Sequence, residues 1–311
     1  MMSTSPEAMD STDFEIPEPK GRVLVIAGSD SSGGAGIQAD IKAISMMGGY
    51  AMTAITALTV QNTTGVSAVH LPPVEIITGQ AEACLNDIGA DVIKTGMLAN
   101  KAIVSAVAAL IAAHDDIPAI VDPVMVATSG SRLLDEDAIE AVKTELIPHA
   151  FLVTPNIPEA EVLTGIKIED LDDQRAAGEA LLKMGAWAAL IKGAHLDTEQ
   201  VFDVLVTRNG MRLFTRSRIK TKHTHGTGCT LASAIAGLMA QGLPLDQAVE
   251  DAGDYVHEAI LHAPDLGQGN GPIDAFWPLR GEGEEGAAPS ANASPEGMHN
   301  PFAGLGDMMK S

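Results

Sequence analysis

The chain has 311 residues, 46% of them hydrophobic, with a mean hydropathy of +0.14, enough to bury a large core and to exclude disorder throughout. Nineteen Lys and Arg stand against 41 Asp and Glu, a formal charge of −22, which argues against nucleic acid or an anionic membrane as a partner, because both need clustered cations. Any phosphate handled here must be held by backbone N–H groups, a metal ion or one or two placed lysines.

Residues 1–20 hold five acids, three prolines and one Lys, without the basic start and apolar run of a secretory signal. They are expected to form a disordered N-terminal extension. Residues 281–311, rich in Gly, Ala, Pro, Ser and Glu, are expected to form a disordered tail. Between them, 21–280 carry 31 acids against 17 bases and no internal linker, so one domain is expected. Cys84 and Cys229 are too few for a disulfide framework, and no apolar run reaches the ~18 residues that span a bilayer. A cytoplasmic protein is the expectation.

The pattern predicts a strand at Val23–Ala27 and a helix to Met47, then extended segments at Ala51–Val60 and Gly65–Leu71. Strands at Asp91–Met97 and Ala119–Met125 precede helices ending at Ala113 and Leu146. Phe151–Thr154 and Ala188–Lys192 continue the series, and Asn209-Gly210 predicts a hairpin between Phe202–Thr207 and Met211–Arg216. Strands alternating with helices imply βαβ units and a mostly parallel sheet covered on both faces.

Two glycine clusters interrupt this pattern. The first runs from Gly28 to Asp40, and its Gly34-Ala-Gly-Ile-Gln-Ala39 fits a dinucleotide fingerprint in form only. Six residues separate it from the strand, and no acid lies between Asp40 and Glu75 to bind a ribose. These glycines either let backbone approach a small ligand or make an ordinary loop. Asp40 falls in the apolar stripe of Ile37, Ile41, Ile44 and Met47, so its carboxylate needs partners: it either ties down the glycine loop or positions a ligand.

In the second cluster, Gly226-Thr227-Gly228-Cys229 opens a helix with Leu231, Ile235 and Leu238 on its apolar face, predicting an anion hole from unpaired N–H groups and the helix dipole. Metal ligation by His223, His225 and Cys229 is one alternative, and an inert packed Cys229 is another. The helix N-terminus favours thiolate at Cys229. Asp122, Asn156, Glu159 and Lys192 lie at the C-terminal ends of predicted strands, the edge where open parallel sheets bind ligands. Asn156-x-x-Glu159 also reads as a capping box.

Gly28–Asp40, Ala54–Thr63, Lys94-Thr-Gly-Met-Leu98, Val121-Asp-Pro-Val-Met125, Thr154-Pro-Asn-Ile-Pro-Glu159 and His225-Gly-Thr-Gly-Cys-Thr230 together resemble the hydroxymethylpyrimidine/phosphomethylpyrimidine kinases of thiamine biosynthesis, in the ribokinase-like superfamily. The resemblance spans about 22–277. It implies an α/β, three-layer αβα fold and ATP-dependent phosphorylation of 4-amino-5-hydroxymethyl-2-methylpyrimidine, first to the monophosphate and then to the diphosphate. It implies a pyrimidine site with Gln61 on the ring edge and Met97 on the ring face, beside Gly28 and Asp40. Asn156 and Glu159 would organise Mg²⁺ through water with Asp122 nearby, Lys192 would meet ATP phosphates, and Gly226–Cys229 would hold the transferred group with Cys229 thiolate as base. A homodimer is also implied. Two positions depart from the family pattern: Ala194 in Lys192-Gly-Ala-His195, and Thr128 in Val126-Ala-Thr-Ser-Gly130. A pyridoxal-type kinase on the same fold and a non-catalytic pyrimidine-binding module are the competing readings.

Overall fold

The computed structural model describes residues 19–279 except 128–129, 131–132 and 197. Contacts divide the chain after Trp277, and the second unit, Pro278–Ser311, adds only Pro278 and Leu279 to the described residues. The expected tails, 1–20 apart from Pro19 and Lys20, and 281–311, lie outside them, as does Thr128.

Among the described residues nine strands form one sheet, in the order β3-β2-β1-β4-β5-β6-β7-β8-β9. They are β1 (Arg22–Asp30), β2 (Tyr50–Asn62), β3 (Gly65–His70), β4 (Val92–Thr95), β5 (Ala119–Val121), β6 (Leu152–Val153), β7 (Ala188–Ile191), β8 (Gln200–Thr207) and β9 (Gly210–Ser217). The six from β2 to β7 are parallel, with β3 antiparallel on one edge and the β8–β9 hairpin antiparallel on the other. The eight α-helices among the described residues are α1 (Gly36–Met46), α2 (Val74–Asp87), α3 (Lys101–Ala113), α4 (Glu136–Ala141), α5 (Ile157–Thr164), α6 (Leu171–Lys183), α7 (Thr227–Ala240) and α8 (Leu245–Leu261).

The period of two along β1 builds both cores. Val23, Val25 and Ala27 face Ile44 of α1, Ile235 of α7 and Val249 of α8, while Leu24 and Ile26 face Ile77 of α2 and Ile103 and Val107 of α3. Every one of these β1 side chains is at most 1% exposed, so the sheet is covered on both faces and the three-layer αβα expectation holds.

Several predicted spans shift: the strands expected at Asp91–Met97, Ala119–Met125 and Phe151–Thr154 shorten to β4, β5 and β6, and two changes are larger in consequence. The strand expected to stop at Ala27 continues through Gly28 and Ser29 to Asp30, with a register shift against β2 between Ala27 and Ser29, so the glycine loop starts only at residue 31. The helix expected through Leu146 begins at Glu136 and ends as α-helix at Ala141; a π-helical turn over Val142–Leu146 and a 3₁₀ turn over Ile147–His149 follow, where Pro148 has no N–H to continue the ladder.

Candidate active site

The carboxyl ends of β1, β4, β5, β6 and β7 open on one cleft of about 700 Å³. It sits where the strand order reverses at β1, since β2 lies on one side and β4 on the other. Gly28, Gln61, Met97, Asp122, Asn156, Glu159, Lys192 and the whole 226–229 turn line it, so eleven of the twelve residues singled out in the sequence are brought together.

Asp40 is the exception. It is fully buried beneath the cleft, where its Oδ1 accepts from Lys94 Nζ at 2.8 Å and from Ser233 Oγ at 2.7 Å. Lying one turn into α1, it is turned toward α7 and the sheet rather than toward the loop, so it neither binds substrate nor ties down the glycine cluster. Asp30 does the tying. Its carboxylate accepts from the N–H and Oγ of Ser32, from Ala35 N–H at 2.9 Å and from the His225 ring at 2.8 Å. Burial works to raise the Asp30 pKa, but these donors outweigh it and hold the group at about 2.

The second cluster meets the first at close range. Gly226 has φ +83° as the N-cap of α7, and a Cβ there would run into the Gly34 carbonyl. A Cβ on Gly228 would lie 3.2 Å from Lys192 Nζ, so glycine lets that ammonium approach the start of the helix. No side chain caps α7; Thr227 N–H donates to the Thr224 carbonyl at 3.3 Å, and the N–H groups of Gly228 and Cys229 remain at the cleft. The metal alternative for this cluster fails on geometry. His223 Nε2 pairs with Asp265 at 2.9 Å and His225 Nε2 with Asp30 at 2.8 Å, two separate carboxylates, and among the described residues no group of three His, Cys, Asp or Glu is placed to hold a metal.

At one end of the cleft, Gln61 Nε2 stands 3.4 Å from His225 Nε2, and its Oε1 accepts from Thr59 Oγ1 at 3.1 Å. Ser31 Oγ fixes the Gln61 backbone through both its N–H and its C=O. Met97 lies against Gly28, whose missing side chain makes room for the thioether: a Cβ there would be 3.1 Å from Sδ. A flat amide edge and a polarisable sulfur therefore line the same wall.

At the other end, Lys192 Nζ pairs with Asp122 Oδ1 at 3.1 Å. The capping box is present: Asn156 Oδ1 accepts from Glu159 N–H at 2.9 Å, and Glu159 Oε2 from Asn156 N–H at 2.8 Å. The structural reading of that motif is therefore correct, yet both residues also line the cleft. Burial pushes the Glu159 carboxyl up to about 7, against the pull of Lys192.

Cys229 departs from expectation. It keeps part of its surface on the cleft, but burial first, with Asp40 and Asp122 adding to it, pushes the thiol up to about 12. Lys94 and the Gly36 N–H pull the other way without prevailing. The group at the start of α7 is thus a thiol at neutral pH and not the resting thiolate that the helix dipole alone suggests.

Asp30 and Lys94 were not singled out in the sequence. An acid closing a strand before a glycine loop, and a lysine inside the otherwise apolar Val92-Ile-Lys-Thr95, were the signals available.

The sequence model of phosphomethylpyrimidine kinase matches residues 30–274. The chain is 44% identical over 256 residues to the hydroxymethylpyrimidine/phosphomethylpyrimidine kinase of Bacillus subtilis strain 168, covering 82% of this chain and 94% of that one. It is 47% identical over 258 residues to the thiamine biosynthesis bifunctional protein ThiED of Geobacter sulfurreducens, covering 83% of this chain and 53% of that longer protein. Among solved structures, phosphomethylpyrimidine kinase of Clostridium difficile 630 is similar with TM-score 0.70 and 43% identity, over 78% of this chain and 100% of that one. Pyridoxal kinase of Bacillus subtilis, in an ADP complex, has TM-score 0.76 and 32% identity, over 82% and 97%. With the strand-end residues, the second glycine cluster and the first from Asp30 onward inside the matched span, the chain is a kinase and belongs to the phosphomethylpyrimidine kinase family.

Proposed function

We propose that this kinase moves the γ-phosphoryl group of ATP to the hydroxymethyl oxygen of 4-amino-5-hydroxymethyl-2-methylpyrimidine, and then phosphorylates the monophosphate to the diphosphate. The observation that carries this reading is the convergence of the uncapped start of α7, Lys192 and the Gln61–Met97 wall on one cleft. In the same reading the enzyme works in the cytoplasm as a homodimer.

Gln61 offers both a donor and an acceptor to an aminopyrimidine edge, and Met97 packs on the ring. Lys192 meets the nucleotide phosphates beside Asn156 and Asp122, and the N–H groups of 226–229 stabilise charge on the group in flight. As the acceptor oxygen bonds to phosphorus, its proton passes to Cys229 Sγ and the bond to the ADP oxygen breaks with its electron pair. That proton transfer needs an ionised thiol, which is scarce at neutral pH when the group sits at about 12. In the second step the acceptor is already anionic and asks less of Cys229. Glu159, a buried carboxyl offset mainly by Lys192, suits a place beside Mg²⁺, which when bound neutralises phosphate charge.

A coupled ADP-release assay with hydroxymethylpyrimidine and pyridoxal tests this. A higher kcat/KM for the pyrimidine, with two ADP released per pyrimidine consumed, is expected. A strong preference for pyridoxal, favoured by the fold shared with pyridoxal kinases, overturns the substrate. Tight pyrimidine binding without ADP release makes the chain a binding module.

A further inference from the structure

The Lys94–Asp40 ion pair is entirely shut off from solvent, and neither residue touches the cleft. Lys94 lies in register with Val25 on one side and Ile120 on the other, so it leaves the sheet on the face that α1 and α7 cover with apolar side chains. A leucine or methionine there would fill the same space, and replacing a buried ion pair by apolar residues is often neutral or stabilising. Among the described residues Asp40 Oδ2 has no hydrogen-bond partner, so the pair is not even fully satisfied. Packing does not explain an ammonium at this position.

Its neighbours do. Ser233, which donates to Asp40 Oδ1, is four residues beyond Cys229 on α7; Asp40 is four residues beyond Gly36 on α1, and Gly36 and Cys229 both line the cleft. The two helices, which meet where Gly226 packs on Ala35, therefore place Gly36 and Cys229 near the cleft and Asp40 against Ser233 about 6 Å deeper. Lys94 Nζ rises between them to 3.3 Å from the point where a Cβ on Gly96 would stand, and Gly96 lines the cleft. The ammonium thus lies just under the cleft floor.

We propose that Lys94 is the buried counter-charge that sets the ionisation of Cys229, acting through the sulfur without touching substrate. The inference rests on the reading of Cys229 as proton acceptor. Of the charges facing the thiol, Lys94 from β4 and Lys192 from the end of β7 favour thiolate, while Asp40 from α1 and Asp122 from the end of β5 oppose it. The effect is mutual. Burial works to lower the Lys94 pKa, yet Asp40, Cys229 and Asp122 hold it above its usual value, so the cation persists at every working pH. Ionisation sends the thiol proton to solvent and leaves Sγ free to take the hydroxymethyl proton.

The two members of one ion pair must then act in opposite directions. The rate of Cys229 alkylation by iodoacetamide, measured in the Cys84→Ala background from pH 7 to 10.5, reads the thiolate directly. Lys94→Met is expected to slow alkylation about tenfold at each pH, as one pKa unit does. Asp40→Asn, which keeps the shape and an acceptor for Lys94 and Ser233, is expected to speed it. A folded Lys94→Met with the wild-type profile overturns the proposal. If Lys94→Met fails to fold, Asp40→Asn decides alone, and slowed or unchanged alkylation overturns it. These outcomes are independent of the catalytic reading: normal turnover by Cys229→Ala removes the proton acceptor but leaves the alkylation shifts to stand or fall by themselves.

Discussion

Two acid–lysine pairs sit under the start of α7, and they differ in what they can reach. Asp40–Lys94 is sealed, with both side chains at 0% exposure, whereas Lys192 of the Asp122 pair keeps 12% and lines the cleft. Both are short, at 2.8 and 3.1 Å, and both lysines are held above their usual pKa by neighbouring carboxylates despite burial. The open pair can exchange its carboxylate for a phosphate at little cost, because the ligand replaces one anion by another. The sealed pair can act only through its field, which the low local dielectric leaves strong. In the proposed mechanism the same two residue types would serve contact in one place and electrostatics in the other, with depth separating the roles.

Removing the sulfur between the two pairs is the largest expected perturbation. Cys229→Ala keeps the N–H groups of the turn, so nucleotide binding should survive while the first phosphorylation slows by about 10²–10⁴-fold. The second step, with an anionic acceptor, should slow less. In the wild type, kcat/KM of the first step should climb with pH from 7 toward 10, because the thiol at about 12 is only then becoming thiolate, and Cys229→Ala should flatten that climb. A flat wild-type profile, with chemistry limiting, would leave the turn as an anion hole only.

Breaking the open pair should be felt at the nucleotide. Lys192→Met removes a charged hydrogen bond, so KM for ATP should rise by roughly 10- to 100-fold with little change in KM for the pyrimidine. Equal effects on both substrates would erase the distinction drawn between the two pairs. Gln61→Leu is the mirror image. It should raise KM for the pyrimidine by about tenfold, since an unpaired ring edge costs ~1–3 kcal/mol, and leave ATP alone.

The alternation of strands and helices, the hairpin at Asn209-Gly210 and the strand-end polar residues could be read from periodicity and turn chemistry, because each is local. Asp40 could be placed on the core face of α1 by its spacing, but its partners are 54 and 193 residues away and no local pattern names them. The periodicity predicts a strand ending at Ala27 and so hides Asp30; three further residues, of which Ser29 and Asp30 pair with β2, carry it into the cleft, against a histidine 195 residues on. The ionisation of Cys229 differs from the sequence expectation for a related reason. The helix dipole can be inferred from sequence, whereas burial and the two carboxylates that outweigh it arrive with the tertiary packing.

The smallest expected effect concerns Glu159, which is both a cap and a cleft carboxyl. Glu159→Gln retains the capping geometry, so any change in stability comes from charge. The folded carboxyl titrates near 7 against 4.5 for the ordinary group, so the folded state binds the proton more tightly. Native stability therefore falls as pH rises from 4.5 to 7, and above 7 the full cost of the buried charge is present. Without ligand, the Tm of Glu159→Gln should gain on the wild type across that window by a few degrees, at about 2–4 °C per kcal/mol, and the two should differ least below pH 4.5. Adding ATP with Mg²⁺ should narrow the gap at pH 8, because the cation compensates the wild-type carboxylate and finds no charge on the amide. The variant should also need more Mg²⁺ for half-maximal rate. A gap at pH 8 that is indifferent to Mg²⁺ would return Glu159 to the role of helix cap, and the open region of the site would then bind its nucleotide through Lys192 and the start of α7.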